Sequence, residues 1–125
     1  MHIKELTKAE EQVMQILWQL KNAMVKDIIE EMPEPKPAYN TVSTVVRVLE
    51  GKGFIAHKAY GNSHVYFPAI SADDYKKFTF DKMMKGYFSN SYKSLVSFIV
   101  DEKNLGVTEL DELSTLINHL KNKKQ

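Results

Sequence analysis

The chain of 125 residues contains no cysteine. Composition alone therefore excludes disulfide frameworks, thiolate metal sites and thiol nucleophiles. No stretch approaches the roughly 20 consecutive apolar residues that a membrane-spanning helix needs, so membrane insertion is not expected. The opening Met1-His2-Ile3-Lys4-Glu5 lacks the apolar centre of a signal peptide, and the cytosol is the expected compartment. Internal repeats and low-complexity segments are missing too. An excess of one charge is almost absent, with 17 Lys+Arg against 16 Asp+Glu. What remains is ordinary for a globular chain: 43% hydrophobic and 26% charged residues argue against disorder. The length fits one domain, or a small domain with an appended subdomain.

The near-zero net charge hides an uneven distribution. Residues 1–34 hold Lys4, Lys8, Lys21 and Lys26 against seven acids, a balance of −3. Residues 35–70 hold Lys36, Arg47, Lys52 and Lys58 against Glu50 alone, a balance of +3. From 71 onward the signs nearly cancel. A basic middle segment beside an acidic start is compatible with a small DNA-binding unit under a neutral total.

Leu6-Thr7-Lys8-Ala9-Glu10 has the form of a capping box. Ala9, Val13, Leu17 and Leu20 then recur at helical spacing, which predicts a helix over 7–20. Val25, Ile28, Ile29 and Met32 predict a second, ended by Pro33. Val42, Val45, Val46 and Leu49 predict a third over 39–52, stopped by Gly51 and Gly53. Two β-rich runs, 54–60 and 63–67, flank Gly61-Asn62 and read as a hairpin closed by Pro68. Three helices followed by a hairpin is the winged helix-turn-helix order, in which the polar third helix enters the major groove and the hairpin is the wing.

The rest of the chain predicts three more helices. Ser71-Ala72-Asp73-Asp74 caps the first, Ser91 the second, and Thr108-Glu109-Leu110-Asp111 the third. The expected fold is mainly α with a small β-hairpin wing, divided into a winged-helix domain over 1–70 and a helical dimerisation domain over 71–125. Short helices cannot hide their own apolar stripes. Phe88, Leu95, Phe98, Ile99, Leu113, Leu116, Ile117 and Leu120 are the candidate dimer residues, although packing within the chain takes some of them. A two-fold dimer also matches a palindromic DNA site.

Several of these segments resemble the BlaI/MecI/CopY penicillinase-repressor family: Leu6-Thr7 with Glu10, Val13-Met14 with Leu17-Trp18, Asn40-Thr41-Val42 to Leu49, and Lys52-Gly53-Phe54-Ile55. His57, Gly61 and Tyr66-x-Pro68 resemble its wing, and Lys93-Ser94-Leu95-Val96-x-Phe98 its C-terminal part. The resemblance implies a homodimeric transcriptional repressor with a winged-helix DNA-binding domain, binding a palindromic operator. It further implies release by proteolysis, triggered by a membrane sensor with a metallopeptidase domain. Two departures bear on induction. The copper-responsive branch binds metal through C-terminal cysteines, which this chain lacks. In the β-lactam-responsive branch the cleaved bond joins Asn to Phe in the fifth helix, and the matching bond here is Ser97-Phe98.

On the third helix, Asn40, Thr41, Ser43, Thr44 and Arg47 are the base-contact candidates. Arg can bond guanine bidentately, Asn can pair with adenine, and Ser or Thr can meet bases or phosphate. Any amphipathic helix has a polar outer face, so the weight comes from the order of elements. Arg47 is the first choice for a strong contact, although it lies a turn past the usual base-reading end. Lys36, Tyr39, Lys52, Lys58 and Asn62 are the candidates for phosphate contacts, which position without reading sequence. For any single lysine plain solvation is the simpler account, but as a set they coincide with the basic segment.

His57 and His64 raise the question of a metal. A two-residue turn at Gly61-Asn62 sets Ala59 opposite His64 and His57 opposite Tyr66, placing both histidines on one face. Zinc usually takes three or four protein ligands, and no Cys or neighbouring carboxylate completes this pair in the sequence, so no metal and no cofactor is expected. Catalytic patterns such as HExxH, GxSxG or a phosphate loop are absent, and no enzyme activity is expected. The competing reading is a winged-helix module that binds protein rather than DNA. Salt separates the two, since phosphate contacts weaken steeply as salt rises.

Overall fold

Thr7 and Glu10 start the first helix as their spacing requires. In the computed structural model, which describes residues 3–125, the Glu10 amide donates to Thr7 Oγ1 at 3.2 Å and the Thr7 amide to Glu10 Oε1 at 2.8 Å. This reciprocal pair satisfies two N–H groups that a helix start otherwise leaves without partners, and α1 follows over Lys8–Leu20. Helix α2 spans Val25–Glu30, with Asp27 Oδ2 accepting the Met24 N–H at 2.9 Å. Helix α3 spans Tyr39–Gly51 and buries Val42, Val46 and Leu49. It ends because Gly53, at φ +84°, adopts a left-handed conformation that a Cβ would oppose. The turn brings the Phe54 N–H onto the Leu49 carbonyl at 3.0 Å and drives the Phe54 ring into the core.

Strands β1 (Ile55–Tyr60) and β2 (Ser63–Pro68) form the antiparallel hairpin. Gly61 takes φ +61° at the first position of the two-residue loop, as a type II′ turn demands. The register pairs Ala59 with His64 and His57 with Tyr66, as the turn length predicts. A third backbone segment joins at the root of the wing: Ala23, between α1 and α2, exchanges hydrogen bonds with Tyr66 at 2.9 and 2.8 Å.

The chain divides into two compact units, Met1–Phe80 and Asp81–Gln125. The core of the first unit is built from Val13, Met14, Leu17, Ile28, Val42, Val46, Leu49, Phe54 and Tyr66, among others. Helix α4 (Ala72–Tyr87) begins with the Asp74 amide donating to Ser71 Oγ. The first unit extends ten residues beyond the sequence boundary at 70/71, for a local reason. Tyr75 is buried against Trp18 and Phe54, with ring centroids 5.9 and 5.6 Å away, and its hydroxyl accepts the Leu6 N–H at 3.1 Å. Trp18 Nε1 donates to the Ile70 carbonyl at 2.9 Å, fixing the same corner.

In the second unit, α5 (Tyr92–Glu102) is capped by Ser91 Oγ, and α6 (Val107–Lys123) follows. The cap of α6 corrects the expected one. Gly106, not Thr108, is the cap residue, and Glu109 Oε2 accepts its N–H at 3.0 Å. Thr108 lies inside the first turn. Phe88 and Phe98 meet edge to face at 5.6 Å. Met84 is buried, but among the described residues none on α5 or α6 is.

Candidate nucleic-acid interface

The apolar face of α3 is consumed by the core, so the opposite face must be polar or exposed. Tyr39, Ser43 and Arg47 follow at intervals of four and therefore share one side of the helix. Together with Met24, Val25 and Lys26 at the start of α2, and with Asn62, Ser63, His64 and Tyr66 of the hairpin, they line a groove of about 380 Å³. Asn40, Thr41 and Thr44 are exposed but do not line this groove. Thr44 Oγ1 donates back to the Asn40 carbonyl at 2.8 Å, and Arg47 Nε to the Ser43 carbonyl at 3.5 Å. The base candidates thus divide between the groove (Ser43, Arg47) and the outward face (Asn40, Thr41, Thr44).

The lining is chemically one-sided. It holds two cations, Lys26 and Arg47, and the donors Tyr39, Ser43, Asn62, Ser63 and His64, and none of its described residues is a carboxylate. Such a set is suited to anionic oxygens. Lys26 escaped the sequence reading because it lies in the acidic N-terminal segment. Its position on the polar side of the α2 apolar stripe was the available signal. The Tyr66 phenol is held above its ordinary range by burial first and then by Glu50 and Tyr39, with Arg47 opposing.

The five phosphate candidates are not gathered in one place. Tyr39 and Asn62 line the groove. Lys58 lies on the other face of the hairpin, in a hollow with Asn22, Tyr60, Val65 and Phe67. Lys36 donates to the carbonyls of Ile29, Glu30 and Met32 at 3.3, 3.0 and 2.7 Å. It therefore neutralises the negative end of α2. Lys52 holds both carboxylate oxygens of buried Glu10, at 2.7 and 2.9 Å. Burial pushes the Glu10 carboxyl up, but the bonds from Lys52 and Thr7 outweigh it and keep it below the usual range. Lys52 thus ties the end of α3 to the start of α1.

The two wing histidines share a face, and their rings stack at 4.3 Å with an interplanar angle of 13°. One expectation is corrected here: a carboxylate does stand beside them. Glu50 Oε2, from α3, is 2.5 Å from His57 Nδ1. It lies seven residues away, across the α3 to β1 turn, a separation that strand register alone does not reveal.

Of the dimer candidates, Phe88 and Leu95 are half-buried, whereas Phe98, Ile99, Leu113, Leu116, Ile117 and Leu120 are exposed, Ile117 to 57%. Between α5 and α6, Val96, Ile99, Val100, Leu110, Leu113 and Ile117 line an apolar trough of about 330 Å³. Ser97 is exposed, as is Phe98 beside it.

Comparison with known proteins adds to this geometry. The penicillinase repressor family matches residues 6–119. The methicillin resistance regulatory protein MecI of Staphylococcus aureus (strain N315) is 30% identical over 115 residues, covering 91% of this chain and 94% of its own. The penicillinase repressor of Bacillus licheniformis is 24% identical over 124 residues, covering 98% and 97%. Among solved structures, the DNA-binding domain of the repressor BlaI is similar with a TM-score of 0.52 and 28% identity, covering 59% of this chain and 92% of that one. The Bacillus licheniformis BlaI monomeric form in complex with the blaP half-operator is similar with a TM-score of 0.50, at the same identity and coverage.

Proposed function

This chain belongs to the penicillinase repressor family, a family of repressors and not of enzymes, and on that premise we propose that it is a homodimeric, sequence-specific DNA-binding transcriptional repressor acting in the cytoplasm. The observation that carries the reading is the groove between α3 and the wing, bounded by cations and donors with no carboxylate in its described lining. A relative of the same fold is solved on a half-operator, which supports it. No described helix is long and apolar enough to cross a membrane.

Dimerisation is supported by the open stripe on α5 and α6. Two linked α3 helices would occupy successive major grooves, with half-site centres separated by whole turns of roughly 10 bp. Linked half-sites bind far more tightly than either alone, so loss of the dimer would end repression. Cleavage at Ser97-Phe98 by a membrane sensor metallopeptidase is the proposed route to that loss. A protease needs an extended backbone, and α5, which buries none of its described residues, has little packing to resist local unwinding.

The test is selection of genomic fragments by the purified full chain at low and high salt. Enrichment of an inverted repeat, weakening steeply as salt rises, is the expected result. No enrichment at either salt overturns the proposal in favour of a protein partner. Arg47→Ala is expected to weaken binding to the selected site by about 1–3 kcal/mol, measured by fluorescence anisotropy. For the release step, the chain is incubated with its cognate sensor protease. An intact chain alongside normal induction removes cleavage from the account.

A further inference from the structure

We propose that His64 is a proton-dependent contact to the DNA phosphate backbone, so that binding of DNA takes up a proton at the wing. This rests on the DNA-binding reading above and assigns a specific group within it. His64 lines the groove with Lys26, Arg47, Ser43 and Asn62, a lining suited to an anionic oxygen. Imidazole is the side chain whose charge ordinarily changes between pH 5 and 8. A phosphate oxygen entering the groove favours the imidazolium over the neutral ring, because an opposite charge within a few ångströms stabilises the charged form.

The charged surroundings decide whether this proton is affordable. From α3 the neighbouring groups are Arg47, Tyr39 and Glu50, and from α2 Lys26. From the hairpin they are His57 and Tyr66. Among the described residues no charged side chain of α1 lines the groove. Arg47 and Lys26 share the groove lining with His64, and the His57 ring stacks on the His64 ring. Glu50 offsets His57, since its carboxylate bonds the His57 ring directly while His64 stacks on that ring. Lys26 and Arg47 are the two permanent cations of the lining. With a phosphate present, that phosphate offsets them and the proton is retained. Linkage then requires DNA affinity to rise as pH falls through the imidazole range, by the same free energy by which DNA raises the imidazole pKa.

A phosphate contact does not depend on sequence, so a mixed-sequence duplex at fixed low ionic strength is a sufficient probe. Anisotropy titrations of the full chain should give a Kd that tightens about three- to tenfold between about pH 8 and about pH 5.5. His64→Gln keeps a polar donor and should lose most of the tightening between about pH 8 and about pH 5.5. His57→Gln should retain it. A wild-type pH response that persists in His64→Gln overturns the proposal while leaving the DNA reading intact. No binding to any duplex at any pH overturns both. As a measurement without substitution, the His64 ring resonances should titrate at higher pH in the duplex complex than in the free chain. An unchanged midpoint overturns the proposal. So does a shift produced by millimolar inorganic phosphate but not by duplex, which would assign the groove to a free anion.

Discussion

Helices α3 and α6 carry apolar stripes of similar spacing, yet they meet opposite fates. Val42, Val46 and Leu49 on α3 are no more than 2% exposed, whereas Leu113, Leu116, Ile117 and Leu120 on α6 are between 39% and 57% exposed. The difference lies in what surrounds each stripe. Helix α3 is packed by α1, α2 and the root of the wing. The second unit has α5, α6 and the end of α4, too few elements to cover all their apolar faces. Covering the remaining half of each α6 residue is worth about 1 kcal/mol, since complete burial of such a side chain gives about 1.5–3 kcal/mol. Four residues on each of two chains would contribute about 8 kcal/mol to the proposed pairing, to be set against an association cost of about 4–15 kcal/mol.

The contrast can be broken experimentally at either end. The largest effect is expected from Phe54→Ala, which opens a cavity at a fully buried site and should lower the unfolding free energy of the first unit by about 3–5 kcal/mol. Denaturant unfolding should show that loss equally at low and high protein concentration. Ile117→Glu should do the reverse, weakening self-association at least about tenfold in sedimentation equilibrium with the first unit's unfolding unchanged. Unchanged sedimentation would return the stripe to contacts within one chain.

Lys52→Met sits between these extremes. It leaves the buried Glu10 without its ammonium partner and should cost about 1.5–3 kcal/mol near neutral pH. The effect also has a pH signature. A carboxyl held below its ordinary range contributes stability that is present above the unfolded value of about 4.3 and is lost as pH falls through the folded value. Without Lys52, burial is opposed only by Thr7, so acid destabilisation should begin at higher pH, as read from the urea midpoint against pH. The smallest effects separate the two units by their caps. Thr7→Ala should cost about 1 kcal/mol in the first unit, and Ser91→Ala about 0.5 kcal/mol in the less buried second.

Local chemistry explains which features could be read directly from the chain. The Gly61-Asn62 turn determines the register of every wing pair, so the shared face of His57 and His64 followed from turn length. The Thr7–Glu10 and Ser91 caps were legible because each involves residues three apart. Contacts set by how the chain folds back on itself were not. Lys52 finds Glu10 across 42 positions, and Lys36 finds the carbonyls of α2 because the proline-containing segment folds back over that helix end. Both looked like free cations for DNA because nothing local announced a partner. Lys26, which lines the groove, was hidden for the opposite reason, being a basic residue among acidic neighbours. The cap of α6 was misplaced because Gly106 has no side chain to signal it. Tyr75 carried the first unit past residue 70 through long-range contacts with Leu6, Trp18 and Phe54.

The two backbone bonds between Ala23 and Tyr66 make the wing a cantilever rather than a loose flap. Its root is clamped to the α1–α2 linker, and Gly61-Asn62 is its free end. Displacement in such a beam grows from root to tip, so the tip can follow the contour of a ligand while the Tyr66 end stays registered with α3. Lengthening the turn at 61–62 would therefore alter reach without resetting alignment. Weakening the clamp at Ala23 would alter alignment without changing reach.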